Sequence, residues 1–428
     1  MLDAKYIREN NKEVKENLKK RQDNEVILRL NTWIKQDEEW RNLKKEMEEL
    51  KKERNDITEK IKIAKSAKKD ISALLKKAKD IPQKIKEYEP KVRQLEEENK
   101  NILMRIPNLL HESVPFGKND TENVEVKKIG KAVHKPKLKH HGQLAIELNL
   151  AEFERAVKVA GTGFFYLKGD LALLDLALQR LALDMLIKKG FVPVQPPLMM
   201  NRAAYSGVTD LGDFETVMYK IENEDLYMIA TSEHPLVAMH MNEIFTEKEL
   251  DKPIKYTGMS PCFRKEIGKH GLDERGFFRV HQFNKIEQVV ICKPEQSWKI
   301  FEEISKNQRD FFDALEIPYR IVNVCTGDMG IVAAKKFDLE AWSPREGKYI
   351  ELGSCSNCTS YQAGRLNIKY RKASGEKEFV HTLNNTMIPT TRMLRIILET
   401  YQTEKGTILI PKALQKYMDG KKEIKKQE

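Results

Sequence analysis

The sequence predicts an α+β protein in which a long two-helix hairpin precedes a body of antiparallel sheet flanked by helices. Two observations point there. Apolar residues recur by heptads between Trp33 and Ile102, and beyond residue 104 strand-like runs joined by short loops alternate with amphipathic helical stretches. A third observation sets the scale: 428 residues exceed what one hydrophobic core of roughly 250–300 residues accommodates, so two domains are expected.

The hairpin is read from two seams. Trp33, Trp40, Met47 and Ile61 fall on one heptad register, with Leu43, Leu50, Ile57 and Ala64 three residues later. The second seam places Ile71, Ala78, Ile85, Val92 and Asn99 at a, and Leu74, Ile81, Tyr88, Leu95 and Ile102 at d. Only the lysine-rich stretch 65–70 separates them, so the chain must reverse and the helices pack antiparallel. Roughly 35 residues at about 1.5 Å each give an arm on the order of 50 Å long. Pro82 and Pro90 are expected to bend or interrupt its second helix. Around the turn, Lys60, Lys62, Lys65, Lys68, Lys69, Lys76 and Lys77 lie where acidic partners thin out, and exposed lysines there offer salt-sensitive phosphate contacts that read no base sequence. The excess of 76 Lys and Arg over 65 Asp and Glu, a formal charge of +11, favours a polyanionic partner in the same way.

After residue 104, Pro107, Pro115 and Gly117 mark a linker. The body that follows has expected strands at 256–258, 278–283, 287–292 and 319–325 and expected helices at 171–188, 297–315 and 392–400. Neither GxxxxGK[ST] nor a helix-opening GxGxxG occurs, which argues against a P-loop or a Rossmann unit. No apolar run of about 18 residues occurs and charge begins at Asp3, so neither a membrane span nor a secretory signal is expected, and the location expected is cytoplasmic. Five cysteines, an odd number without framework spacing, suggest reduced buried thiols. Cys355-x-x-Cys358 is half a zinc site without a second pair, so no zinc is expected. His140-His141 reads as solvated, His234 and His240 as packing residues, and the tail KKEIKKQE as a disordered polar end.

Residues 260–288, SPCFRKEIGKHGLDERGFFRVHQFNKIEQ, carry the chemistry. They gather three arginines, three glutamates and two histidines on a strand, a loop and a returning strand. Arg264 and Glu266, two apart, share a face, so a cation can address phosphate while a carboxylate takes donors from a base or amine. On the return His281, Phe283, Lys285 and Glu287 share a face as well.

With GFVPVQPPLM from Gly190, SPCFRKE through HQFNKIE, and TTRMLRIILETYQ from Thr390 in that order behind a two-helix arm, the chain resembles the seryl-tRNA synthetases, class II aminoacyl-tRNA synthetases, most like their archaeal common form. The three segments match class II motifs 1, 2 and 3. MLDAKYIRENNKEVKENLKKR is similar to the family's opening helix, IPNLLHESVPFG to its linker and LNLAEFERAVKVAGTGFFYLKGD to the entry of its catalytic domain. The resemblance implies a tRNA-binding domain at 1–105, a linker at 106–130, and a class II catalytic domain at 131–428. The catalytic domain would have a six- or seven-stranded antiparallel sheet and form a homodimer partly through motif 1.

It also implies substrates and roles: L-serine, ATP with Mg²⁺, and tRNA(Ser), with tRNA(Sec) as a further candidate acceptor. Arg264 would hold the α-phosphate and Glu266 the adenosine end, beside Lys265. Val280, His281, Gln282 and Phe283 would line the nucleotide site, Phe283 stacking on adenine. Arg392 would cover the other adenine face and reach the γ-phosphate, completing a catalytic set of Arg264, Glu266 and Arg392. Glu351, Leu352, Gly353 and Ser354 would meet ATP, with Glu351 and Ser354 on its Mg²⁺. Thr231, Ser232 and Glu233 would seat the serine α-amino group, with Arg264, Glu287, Asn384 and Thr386 near the rest of the amino acid. The loop GKHGLDERG within motif 2 would meet the acceptor end of the tRNA.

The residue types suit that chemistry. Displacing pyrophosphate from an α-phosphorus builds negative charge that fixed arginines and a metal ion stabilise, and no dedicated general base is required. A buried carboxylate that only a hydroxyl satisfies would penalise alanine and glycine. Two alternatives compete. A ligase that loads an amino acid onto a carrier protein would lack the full basic arm present here, and an inactive paralogue would have lost Arg264, Glu266, Glu351 or Arg392, all of which are present.

Overall fold

The computed structural model describes residues 1–210, 212, 216–266 and 276–427. The loop expected to meet a tRNA acceptor end falls almost entirely outside the described residues. The chain divides into two compact units, Leu2–Lys19 with Asp23–Pro107, and Met1, Lys20–Gln22 and Asn108–Glu428.

In the helical unit, two short helices, Ala4–Glu9 and Asn11–Lys19, precede α1 (Asn24–Ser66) and α2 (Ser72–Leu103). The heptad reading holds residue by residue. Trp33, Met47 and Ile57 on α1 and Ile81, Ile85 and Val92 on α2 are buried, and Leu50, Ile61, Leu74 and Ala78 pack against the Ile57–Ile81–Ile85 cluster. Asp70 ends the reversal by accepting the Ser72 amide at 2.9 Å. α2 runs through Pro82 and Pro90 without interruption. Each proline deletes only one i→i−4 bond, and the seam packed against α1 on both sides of each ring holds the helix together.

Asp37 is the buried charge of this unit, 3% exposed. Arg8 donates to both its oxygens at 2.8 and 2.6 Å, and Arg41 adds a bond at 2.9 Å. Both arginines are partly exposed, so solvent screens the pairs. Asp37→Ala is expected to remove about 1–2 kcal/mol from this unit. Urea unfolding followed by helical circular dichroism checks this, and an unmoved midpoint would show that the ion pairs contribute nothing.

In the larger unit the expected antiparallel sheet is present. Its strands are β1 (Val124–Ile129), β2 (Val192–Val194), β3 (Ile254–Phe263), β4 (Gln282–Cys292), β5 (Tyr319–Asn323), β6 (Lys335–Ser343), β7 (Lys348–Thr359) and β8 (His381–Pro389). They lie in the order β1-β5-β6-β7-β8-β4-β3-β2. Seven pair antiparallel, and β2 extends the edge in parallel with β3. The helices used below are α3 (Gly169–Lys188), α4 (Glu233–Ala238), α5 (Ser297–Ala314) and α6 (Thr390–Thr400).

The core forms on both faces of the sheet. Ile286 and Val290 of β4 join Leu174 and Leu178 of α3, Ile304 and Phe311 of α5, and Leu394 of α6 on one side. Val289 and Ile291, on alternate positions, join Leu236 and Val237 of α4 on the other. Burial on both faces explains why the end of β4 reads as an unbroken apolar run, VVIC, instead of alternating.

Four expectations change. The runs at 278–283 and 287–292 are one strand, β4, starting at Gln282. Upstream of it the Phe277 amide donates to His141 Nε2 at 3.2 Å, and the His281 amide donates to Gly163 O at 2.9 Å. His141 is not solvated but fully buried, with Nδ1 3.4 Å from Glu399 Oε1 on α6. Part of the 106–130 segment is the edge strand β1, paired with β5. The tail is ordered: Glu423–Ile424 pairs with Ile408–Leu409, and Ile424, the one apolar residue of KKEIKKQE, enters the core.

Candidate active site

A cavity of about 370 Å³ opens where β3, β4, β7 and β8 meet α4 and α6. Its walls follow from strand alternation. On β4, Phe283, Lys285 and Glu287 stand two apart and line it. Just past the end of β3, Arg264 and Glu266 do the same. Glu266 adopts φ 47°, a left-handed conformation uncommon for a residue with a Cβ and concentrated at functional sites.

On β7 four consecutive residues, Glu351, Leu352, Gly353 and Ser354, reach the same cavity. The pairing with β6 jumps from Leu339↔Gly353 to Glu340↔Glu351, so Leu352 is the extra residue of a bulge that re-aims its neighbours. Gly353 has to be glycine: a Cβ there would come within 2.9 Å of the Thr386 Cβ and 2.8 Å of Gln308 Nε2. β8 supplies Asn384 and Thr386, α6 supplies Thr391 and Arg392, and Thr231, Glu233 and His234 enter from the start of α4.

The two ends differ electrostatically. At one, the Arg264 guanidinium lies 5.3 Å over the Phe283 ring, its Nε donating to Ala230 O at 3.3 Å. Arg392 donates to Glu351 O at 3.0 Å and rests 5.1 Å over Phe278, and burial lowers its pKa. At the other end, burial first and the Glu287 charge second push the Glu233 carboxyl up to about 7. Burial likewise raises Glu287, opposed by the Lys285 ammonium 2.6 Å away. Burial drives His234 down to about 3, so it packs as a neutral ring against Tyr205. One end therefore presents cations beside aromatic rings and the other presents enclosed carboxylates.

That arrangement has counterparts among known proteins. The tRNA synthetase class II core domain (G, H, P, S and T) matches residues 216–401, and the seryl-tRNA synthetase N-terminal domain matches residues 1–110. The serine–tRNA ligase of Methanocella arvoryzae is 55% identical over 369 residues, covering 86% of each chain. That of Methanospirillum hungatei is 54% identical, covering 86% of this chain and 87% of its own. The chain belongs to the seryl-tRNA synthetase family. Among solved structures of that family, the seryl-tRNA synthetase from Pyrococcus horikoshii complexed with ATP superposes with a TM-score of 0.94 at 47% identity over the whole of both chains. The serine–tRNA ligase of Naegleria fowleri in complex with AMP gives 0.85 at 39%, covering 97% of this chain and 95% of its own.

Most of the residues that resemblance to seryl-tRNA synthetases singled out meet in this one cavity: Arg264, Glu266, Val280, Phe283, Glu351, Leu352, Gly353, Ser354 and Arg392 around the cationic end, Thr231, Glu233, Glu287, Asn384 and Thr386 around the acidic one. Four do not line it. Ser232 is fully buried against Gly258, where a Cβ would fall 2.5 Å from its Oγ. Lys265 alternates away from Arg264, and its amide bonds to Val217 O at 2.9 Å. His281 holds the Arg264 carbonyl at 2.9 Å and the Tyr219 hydroxyl at 2.8 Å, while Gln282 is exposed.

Lys285, His234 and Phe278 line the cavity without having been given a role in the site. For Lys285 the signal was its shared face with Phe283 and Glu287. In the helical unit Lys60, Lys62, Lys65, Lys68, Lys69, Lys76 and Lys77 are all exposed around the reversal, and only Lys62 and Lys77 make ion pairs among the described residues.

Proposed function

We propose that this protein is a serine–tRNA ligase that acts in the cytoplasm, joins L-serine to AMP at the expense of ATP, and passes the seryl group to tRNA(Ser). The observation that carries the reading is the polarity of the cavity, with Arg264 and Arg392 beside aromatic rings at one end and the buried Glu233 and Glu287 at the other. A nucleoside triphosphate fits the first and an α-ammonium with a hydroxyl fits the second.

In this reading adenine is sandwiched between Phe283 and Arg392, Glu266 takes donors from the adenosine end, and Arg264 holds the α-phosphate. The serine carboxylate attacks the α-phosphorus and pyrophosphate departs. A ribose hydroxyl at the tRNA terminus then attacks the seryl carbonyl carbon, and AMP leaves. Arg264 and Arg392 hold the charge that grows on phosphate, and the enclosed walls align the reacting atoms. Thr231 and Glu233 receive the ammonium, while Glu287, Asn384 and Thr386 surround the hydroxyl.

Glu351 and Ser354 suit a magnesium ion arriving with the triphosphate. They are hard oxygen donors on the same cavity wall, and two protein ligands leave room for phosphate oxygens and water, as Mg²⁺ prefers. Bound there, the ion would neutralise charge on the phosphates.

Exposed apolar residues Leu173, Leu176 and Ile187 on α3, with Val192 on β2 and Leu198 and Met199 just beyond it, form the face on which we place a homodimer through motif 1. The exposed lysines around the helical reversal supply the tRNA contacts.

Amino-acid-dependent exchange of pyrophosphate into ATP, followed by charging of tRNA(Ser), tests the activity. Serine should support exchange, and alanine, glycine and threonine should each fall short by at least roughly a hundredfold in kcat/KM. Glu287→Gln is expected to cut serine-dependent exchange by about a hundredfold and to narrow the gap between serine and alanine. Equal rates with all four amino acids would refute the reading.

A further inference from the structure

The acidic end of the cavity holds a cation that the proposed roles leave unused. Lys285 is 5% exposed and on the cavity wall. Its ammonium lies 2.6 Å from Glu287 Oε2 and donates to Thr386 Oγ1 at 3.4 Å, while the Thr386 hydroxyl donates to the same Glu287 oxygen at 3.1 Å. Lysine, glutamate and threonine thus close a buried ring across β4 and β8. An ammonium carries three donors, so one is left to offer a ligand.

The charges around that ring do not balance without it. Glu233 enters from α4, its Oε1 accepting from Gln362 Nε2 at 2.9 Å, and Glu287 stands on β4. Facing them are Lys285, Arg264 from beyond β3, the neutral His234 on α4, and the thiols Cys262 on β3 and Cys358 on β7, both driven upward by burial. Burial raises the pKa of both carboxyls, the Glu287 charge adds to the rise at Glu233, and Lys285 opposes the rise in both. With Arg264 committed to phosphate, Lys285 is the cation left to offset one of the two carboxylates. The remaining negative charge is what a single ammonium ligand matches.

We propose that Lys285 is a positioning residue for the amino-acid substrate: its ammonium fixes the Glu287 and Thr386 oxygens in one arrangement and offsets one of two buried carboxylates, so that the cavity receives a substrate carrying an α-ammonium and a hydroxyl. This rests on the reading of the site as a serine-activating one. None of the roles proposed above for the other cavity residues requires a lysine here. A neutral side chain of the same length would fill the space and lose the charge.

Serine-dependent pyrophosphate exchange by the full-length protein separates the two ideas. Absence of exchange by the unaltered protein overturns the functional reading itself, and with it this proposal. Given exchange, Lys285→Met is expected to raise KM for serine about ten- to hundredfold while KM for ATP moves less than about threefold. Without the ammonium both carboxyl pKa values rise, so more of each is protonated at a given pH. The acid limb of kcat/KM for serine should therefore move toward alkaline pH by about one unit or more, and activity should recover as pH rises. Lys285→Arg keeps the charge but cannot reproduce the ring, so it should raise KM for serine and leave the acid limb in place. This second variant decides the matter even if Lys285→Met does not fold. An unmoved limb in Lys285→Met, a moved limb in Lys285→Arg, or equal losses for serine and ATP would each overturn the proposal.

Discussion

Replacing Arg264 by alanine should lower kcat for serine-dependent pyrophosphate exchange by about a thousandfold, with much smaller changes in KM for serine. The magnitude follows from where the charge develops. As the serine carboxylate adds to the α-phosphorus and the bond to pyrophosphate stretches, negative charge moves onto oxygens that a fixed guanidinium stabilises without reorganising, and removal of one such group costs about 10² to 10⁴ in rate. Arg264 is held for this task by its neighbours and contributes little to them. Among the described residues its side chain makes one bond, of 3.3 Å to a carbonyl, and stacks over Phe283, and its backbone is fixed separately by the Arg264 amide donating to His281 O. The variant should consequently fold with a melting temperature within a few degrees of the unaltered protein. Lysine at 264 should recover only part of the loss, because a point charge lacks the planar fork that addresses two phosphate oxygens. Steady-state exchange kinetics with ATP and serine varied in turn measure all of this, and kinetics unchanged by Arg264→Ala would refute the role assigned to it.

How much of the fold and the cavity was legible in the chain depends on the range of the forces involved. The coiled-coil seam was readable to the residue because a heptad stripe is a local pattern, and α1 and α2 bury the positions it marks. The pairs Arg264 with Glu266 and Phe283 with Glu287 were readable because alternation on a strand has period two, and the cavity receives all four. The features that escaped depend on partners far away in sequence. His141 sits in a stretch of lysines and histidines, and nothing local shows that Glu399 on α6 and the Phe277 amide will enclose it. Ile424 is a single apolar residue among charges, yet one strand pairing suffices to bury it. The bulge that turns Leu352 and Gly353 into the cavity is a register slip between β6 and β7 that no composition records. The prolines of α2 show the converse: a local rule gave the wrong emphasis because packing over many residues outweighs one missing backbone bond.

Shortening the helical hairpin should separate the two half-reactions. The seam pairs positions whose numbers sum to about 138, as Ile57 with Ile81 shows, so cuts at Lys44 and Gln94 remove matching lengths of α1 and α2 and leave ends that a short Gly-Ser turn can join. The truncation spares Trp33 and the bonds from Arg8 and Arg41 to Asp37, which anchor the base of α1 within its own unit. It removes all of Lys60, Lys62, Lys65, Lys68, Lys69, Lys76 and Lys77. No residue lining the cavity lies between 44 and 94, so serine-dependent exchange should stay within about twofold of the intact protein. Charging of tRNA(Ser) should fall by at least about a thousandfold, since every lysine–phosphate interaction weakens binding when it goes and the truncation takes several together. A milder version discriminates charge from shape. Replacing Lys65, Lys68, Lys69 and Lys76 by glutamine keeps the helices, and it should raise KM for tRNA while flattening the dependence of binding on salt by close to one unit of log–log slope for each lysine that meets a phosphate. Retained charging after truncation would mean that the arm does not hold the tRNA. An unchanged salt slope in the glutamine variant would mean that these lysines are solvated surface and that the tRNA is held elsewhere on the arm.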